Sequence, residues 1–145
     1  MPMTSTELIS GRPVAPPTLD SQPFWDATRE NELRIQRCGK CGQFTFFPRV
    51  RCPNCGSDDL GWTRAAGTGA IWSFTVVERA VSAACRDVVP YVVALVALAE
   101  GPMMMTNIID CDPGSVSIGM SVEVVFHPVD DGRAVPLFRP VGSNA

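Results

Sequence analysis

Histidine and lysine are nearly absent from this chain, which contains one of each among its 145 residues. The single histidine, His127, lies just before Pro128 at the end of a predicted strand, so no Ser/His/Asp or Cys/His set can be assembled from the spacing. Glycine-rich phosphate-binding motifs and carboxylate pairs along one helix face are also missing. These absences predict a chain with no catalytic residues of its own.

The chain also has no excess of positive charge. Twelve Lys and Arg residues stand against fifteen Asp and Glu residues, which gives a formal net charge of −3. A general nucleic-acid-binding protein needs a basic surface to neutralise phosphates. The charge balance therefore disfavours that class of protein.

No apolar run is long enough to span a membrane as a helix. The longest, 88–99, falls short of the roughly 18 residues that a span needs, and Pro90 and Tyr91 interrupt it. The first residues show no basic segment followed by an apolar core, as a signal peptide would. We therefore expect a cytoplasmic protein whose six cysteines remain reduced.

Turn-forming residues are abundant, with 12 glycines and 13 prolines, which disfavours an all-helical bundle. The proline-containing segment 1–20 is predicted to be an extended arm. Asp20, Pro23 and the acids that follow predict a short helix over 22–31, with Phe24 and Trp25 along one side. Runs of β-branched and apolar residues then predict five strands, which favour a small closed barrel over a sandwich: 70–77, 91–99, 103–109, 122–126 and 135–138.

Four of the six cysteines form two Cys-x-x-Cys-Gly knuckles, Cys38/Cys41 and Cys52/Cys55, with ten residues between the pairs. Two knuckles supply four soft ligands, which suits the tetrahedral coordination of Zn²⁺. Because protein would fill all four positions, we predict a structural rather than a catalytic zinc. Iron, as in an electron-transfer ribbon, is the alternative that the same thiolates allow, while a reducing compartment disfavours two disulfides.

Five cations and no acid lie in the stretch 34–51, around the knuckles. They either offset the charge of the thiolates or form a positive face for an acidic partner or for phosphates. Three consecutive methionines, 103–105, are predicted to be half core and half surface, with a soft partner-facing patch as the alternative. Cys85 and Cys111 are interpreted as ordinary thiols. The five cations are Arg34, Arg37, Lys40, Arg49 and Arg51.

The order of these parts resembles the family of small proteins that pair a rubredoxin-like zinc ribbon with an acyl-CoA-associated OB-fold. The resemblance implies a mainly β chain with an N-terminal arm and short helix (1–33), a zinc ribbon (34–64) and a five-stranded OB-fold barrel (65–145). It also assigns the zinc-ligand role to the four knuckle cysteines. It covers about 20–141 and rests on those cysteines and on Phe24-Trp25, 33–38, Phe47-Pro48-Arg49, Gly67-Thr68-Gly69, 90–96, 118–120 and 136–140.

The resemblance further implies a non-catalytic accessory subunit. Members of this family associate with thiolase-like enzymes, such as thiolases and sterol-carrier-type aldolases, and some with hydratase-like hot-dog proteins. Such a subunit would support carbon–carbon bond cleavage or formation on acyl-CoA in lipid, steroid or aromatic-acid metabolism, beside the partner's CoA channel. In the loop 78–89, Arg79 and Arg86 are candidates for contacting CoA phosphates or the partner, with an ordinary solvated loop as the alternative.

A single-stranded nucleic-acid-binding protein remains a second interpretation, because zinc ribbons and OB-folds both serve that function. It would require a basic groove on the barrel strands. The barrel section 67–141 instead carries four arginines against eight carboxylates. That balance favours the accessory-subunit interpretation.

Overall fold

The structure is a computed structural model that describes residues 13–142, so most of the predicted arm lies outside the described residues. Helix α1 (Gln22–Thr28) precedes a three-stranded sheet made of β1 (Arg34–Cys38), β2 (Phe44–Thr45) and β3 (Leu60–Arg64). Within the described part of the chain, no helix has the length and apolar character that crossing a membrane requires. The remaining strands are β4 (Thr68–Val77), β5 (Tyr91–Leu98), β6 (Met103–Ile108), β7 (Ser121–Pro128) and β8 (Ala134–Pro140).

These last five strands close into a barrel in the order β4-β5-β6-β8-β7. Neighbouring strands are antiparallel, except that β6 meets β8 in parallel where Ile108 pairs with Phe138. A bulge between Ile71 and Ser73 lets the long strand β4 pair with β5 along its whole length and with β7 at its start. All five predicted strands are present within three residues of their predicted ends, and the predicted mainly β fold with a five-stranded OB-type barrel is confirmed.

One hydrophobic core extends through the helix, the three-stranded sheet and the barrel. Phe24 of α1 and Ile35 of β1 belong to the same buried cluster as Val92, Val122 and Phe138 inside the barrel. Burial alternates along β5, as expected for a strand with one face in the core. The ribbon is too small to bury its own apolar residues, so it packs them against the barrel instead.

The junction between the three-stranded sheet and the barrel is only three residues long, and each of these residues is constrained by a hydrogen bond or by close packing. The Ala65 N–H donates to the Leu33 carbonyl at 2.7 Å, and the Ala66 N–H donates to a Glu100 carboxylate oxygen at 2.8 Å. Gly67 has a φ of +79°, and a Cβ there would lie 2.7 Å from a Val124 methyl group. The ribbon therefore has a fixed position on the barrel.

Helix α1 ends at Thr28, three residues earlier than predicted. Asn31 adopts a φ of +58°, and the Glu32 N–H turns back to the Ala27 carbonyl at 3.0 Å, so the chain reverses toward β1. The buried Thr28 hydroxyl donates to the Trp25 carbonyl at 2.6 Å and accepts from the Ala134 N–H at 3.0 Å. These bonds attach the end of the helix to the start of β8.

A buried arginine ties the same region together. The Arg133 guanidinium donates to Asp131 Oδ2 at 2.7 Å and to the Ala15 carbonyl at 2.7 Å, and it lies 4.8 Å from the centre of the Trp25 ring. The backbone N–H of Arg133 and then its side chain hold the pKa of Asp131 below its ordinary value. Arg133 thus connects the segment before α1, the helix itself and the β7–β8 turn.

Candidate functional site

The two knuckles have the same local structure at opposite sides of the cysteine cluster. In each knuckle the glycine N–H donates to the carbonyl of the first cysteine at 2.9 Å, and Gly42 and Gly56 share a φ of +79°. A left-handed conformation of this kind favours glycine, which explains why each Cys-x-x-Cys pair is followed by one. The turns direct both cysteines of a pair toward the same point.

The structure brings all four predicted ligands together. Their sulfur atoms lie within 4.8 Å of one another, and the Cys38–Cys55 and Cys41–Cys52 sulfur pairs are each 3.6 Å apart. A tetrahedral zinc with Zn–S distances of about 2.3 Å separates its sulfurs by about 3.8 Å. The cluster therefore fits one ion with four thiolate ligands, and burial of Cys38 and Cys52 closes it on the inner side.

Backbone N–H groups lower the pKa of two of the thiols and so favour their ionisation. The Cys41 N–H, 3.4 Å from the Cys38 sulfur, lowers the pKa of Cys38, and the Gln43 N–H lowers the pKa of Cys41 to about 6. At Cys55 the Ser57 N–H lowers the pKa, but burial and the neighbouring thiols outweigh it and raise the pKa to about 11. A cation bound among the sulfurs would favour the thiolate form of the cysteines.

An arginine stabilises each knuckle from outside. Arg37 Nε donates to the Gly42 carbonyl at 3.2 Å, and Arg51 Nη1 donates to the Gly56 carbonyl at 3.2 Å. The Arg37 guanidinium also lies 5.0 Å from the centre of the Phe44 ring. Sequence reasoning treated these arginines only as general charge, although the repeated order Arg-Cys-x-x-Cys-Gly was a signal for their shared position.

A second feature, which we call the apolar groove, lies where α1, the ribbon and the barrel meet. It has a volume of about 500 Å³. Along one wall, Trp25, Phe24, Phe46 and Phe47 form a chain of edge-to-face aromatic contacts. The centres of successive rings are 5.0–5.7 Å apart. Sequence reasoning missed the groove. Its lining includes Phe24, Trp25, Phe46, Phe47, Met103 and Met105, together with the cationic Arg49.

The three methionines divide as predicted between core and surface. Met104 is buried in the common core, whereas Met103 and Met105 are exposed on the outer face of β6. Both exposed side chains line the apolar groove. The alternative of a soft partner-facing patch therefore has a defined location.

The structure places Arg79 and Arg86 away from the groove lining. Both are exposed in the β4–β5 loop, which leads into the beginning of β5, whereas the groove reaches β5 at Leu95. Neither arginine forms an ion pair with another residue of the described range. Their contact with CoA or a partner stays a prediction.

The two remaining cysteines lie outside the cluster. Cys85 is buried and accepts a hydrogen bond from the Ser82 hydroxyl at 3.7 Å. Cys111 is half-buried, and burial raises the pKa of its thiol. A raised pKa lowers the fraction of reactive thiolate, as expected for an ordinary thiol.

A four-cysteine ribbon joined to a closed five-stranded barrel defines the class of zinc-ribbon and OB-fold proteins. Within that class, the ChsH2 rubredoxin-like zinc ribbon domain matches residues 25–61, and the ChsH2 C-terminal OB-fold domain matches residues 62–127. The chain belongs to the ChsH2/DUF35 family. This confirms the resemblance found in the sequence.

Two of the curated relatives are hydratase subunits that are much longer than this chain. One, a probable enoyl-CoA hydratase alpha subunit of Thermomonospora curvata, is 39% identical over 118 residues, covering 81% of this chain and 36% of its own. The other, the 3-oxo-4,17-pregnadiene-20-carboxyl-CoA hydratase alpha subunit of Mycobacterium tuberculosis, is 36% identical, covering 74% and 33%. The chain therefore spans about a third of the length of these relatives.

Other relatives match this chain over most of their own length. A DUF35 domain-containing scaffold protein of Methanothermobacter thermautotrophicus is 39% identical over 98 residues, covering 67% of this chain and 73% of its own. A solved chain of an Ltp2-ChsH2(DUF35) aldolase is 36% identical with a TM-score of 0.76, and the match covers 89% of this chain and 98% of that one. The fold and its architecture are thus shared with a component of that aldolase.

Proposed function

We propose that this chain is a non-catalytic accessory subunit that binds a thiolase-like enzyme, either a thiolase or a sterol-carrier-type aldolase. The observation that carries the proposal is the match to nearly the whole of one chain of the Ltp2-ChsH2(DUF35) aldolase, whose name joins two components, together with the ChsH2 domains that this chain matches. On this proposal, the pair cleaves or forms carbon–carbon bonds of acyl-CoA substrates in lipid, steroid or aromatic-acid metabolism. The hydratase names of the longer relatives make a hydratase-like hot-dog protein a further candidate partner.

The partner would supply the reacting groups. The chain has one histidine, His127, which lies on β7 opposite Val135 in the barrel wall. The cysteine cluster offers four protein ligands to one ion, which leaves no open coordination position for a substrate. The proposal therefore assigns nucleophile and base to the partner and a supporting role to this chain.

The proposed cofactor is one structural Zn²⁺ held by Cys38, Cys41, Cys52 and Cys55. The sulfur separations and the lowered pKa values of Cys38 and Cys41 support this role. When bound, the ion would fix both knuckles and thereby the end of β1, whose Ile35 belongs to the core shared with the barrel. Zinc would thus hold the ribbon in the position that shapes the apolar groove.

Two finer parts of the proposal concern organisation and substrate contact. The chain is divided into an arm and helix (1–33), the zinc ribbon (34–64) and the OB-fold domain (65–145). Arg79 and Arg86 are proposed to contact CoA phosphates or the rim of the partner, because both guanidinium groups are exposed and without an ion-pair partner in the described range.

Purification of the tagged chain with its endogenous partners tests the proposed function. We expect a thiolase-like protein to be retained in about equal molar amount, because an accessory subunit forms a stable complex. Mass spectrometry of the eluted proteins identifies the partner, and the tag alone is the control. Retention of single-stranded nucleic acid in a salt-sensitive manner, with no thiolase-like protein, would contradict the proposal.

A further inference from the structure

We propose that the apolar groove is the surface through which this chain binds its partner enzyme, and that it takes an apolar segment of that enzyme flanked by acidic side chains. The inference rests on the proposed function and adds the location and chemistry of the interface. The groove has exposed apolar side chains that the fold itself does not explain. Phe47 is 51% exposed and Met105 is 67% exposed, and both line the groove.

The groove is rigid on its ribbon side. The buried Gln36 amide donates to the Arg49 carbonyl at 2.9 Å and accepts from the Arg49 N–H at 2.7 Å, so it fixes the backbone of the loop that carries Phe47. Phe46 packs edge-to-face on both Phe24 and Phe47. A surface that is already ordered loses little entropy on binding, and aromatic residues are typical anchors of interfaces.

The barrel side of the groove is adaptable. Met103 and Met105 project from β6 beside Leu95 and Pro136. Methionine side chains are flexible and polarisable, so they fit an apolar partner surface of irregular shape. A rigid aromatic wall facing an adaptable methionine wall is suited to an apolar segment of another protein.

Charge identifies the flanks of that segment. Arg49 lines the groove, and no carboxylate of the described residues forms an ion pair with its side chain. The surrounding stretch 33–57 contains no Asp or Glu. Acidic residues on the partner would complement this cation. In a symmetric dimer both copies would contribute this same surface, and the stretch 33–57 has no carboxylate to pair with Arg49, which disfavours a second copy as the occupant.

Two substitutions test the groove without touching the core. Met105→Glu places a carboxylate on an exposed apolar position, and Arg49→Glu reverses the charge of a lining side chain while leaving the backbone atoms that Gln36 contacts. Ile118→Glu is the matched control, because Ile118 is 70% exposed and lies outside the groove lining. Equal melting temperature and metal content of all three variants would show that each folds normally.

The measurement is the affinity of each variant for the thiolase-like partner that co-purifies with the wild-type chain, determined by calorimetry at two salt concentrations. We expect Met105→Glu and Arg49→Glu to weaken binding at least about tenfold and Ile118→Glu to change it less than about twofold. Wild-type binding should weaken as salt increases, and Arg49→Glu should reduce that dependence.

Unchanged affinity of both groove variants would overturn the groove assignment while leaving the proposed function standing, since the partner would still bind. Failure of the wild-type chain to bind any thiolase-like protein would instead contradict the proposed function. Two other outcomes would also overturn the assignment. One is a homodimer of the isolated chain that Met105→Glu dissociates, and the other is binding of acyl-CoA to the isolated chain that Met105→Glu abolishes.

Discussion

A Cys41→Ser variant is expected to lose nearly all of its bound metal and most of its stability. Cys41 is exposed, so replacing its sulfur by oxygen removes little packing, and the effect acts through the metal. Structural zinc in small peptides contributes an apparent 10–16 kcal/mol, roughly, to folding. Because Ile35 of the ribbon belongs to the core shared with the barrel, release of the ribbon would also expose the barrel.

Metal analysis and thermal unfolding of the purified proteins check this expectation. The wild-type chain should hold about one zinc, and the variant less than about a tenth of that. Cys111→Ser, which lies outside the cluster and is half-buried, is the control and should retain the metal. A soluble, folded and metal-free Cys41→Ser protein with an unchanged melting temperature would contradict a structural ion. A red colour of the purified wild-type protein would show that the bound ion is iron rather than zinc.

An Arg133→Met variant is expected to lose about 2–4 kcal/mol of stability. Methionine keeps much of the apolar stem but cannot donate to Asp131 or to the Ala15 carbonyl, and it loses the contact of the guanidinium with the Trp25 ring. The side chain is only 6% exposed, so water cannot replace these bonds at little cost. The helix and the segment before it would then separate from the barrel more easily.

Urea unfolding compares this variant with Arg139→Met, the same substitution at a surface ion pair. Arg139 contacts Glu123 at 3.1 Å, but both side chains are well exposed, so we expect a loss below about 1 kcal/mol. The melting temperature of Arg133→Met should fall by about 5–10 °C. Equal stability of the two variants would contradict the structural role assigned to the buried guanidinium.

Local patterns account for the features that the sequence predicted correctly. The cysteine cluster could be predicted from the spacing of Cys38, Cys41, Cys52 and Cys55, because each knuckle is a tight turn with its own hydrogen bonds. The barrel strands are also predicted from a local pattern, because the alternation of residues along a strand indicates which face is buried. Strands such as β2, with two residues, are too short to leave a pattern of this kind.

Contacts between distant segments account for what the sequence did not predict. The Gln36–Arg49 pair and the Arg133–Ala15 bond join residues 13 and 118 positions apart, and neither has a local signature. The apolar groove combines residues from α1, the ribbon, β5, β6 and β8, so it exists only once those elements pack together. Sequence patterns identify the elements, but the partner-facing surface depends on their arrangement.

The rate of acyl-CoA cleavage by the co-purified thiolase-like enzyme, measured with and without this chain, tests the accessory role most directly. We predict that the enzyme alone is poorly soluble or at least about tenfold less active, and that adding the wild-type chain restores activity with saturation near one chain per enzyme subunit. An enzyme that is fully soluble and equally active without this chain would contradict the accessory role.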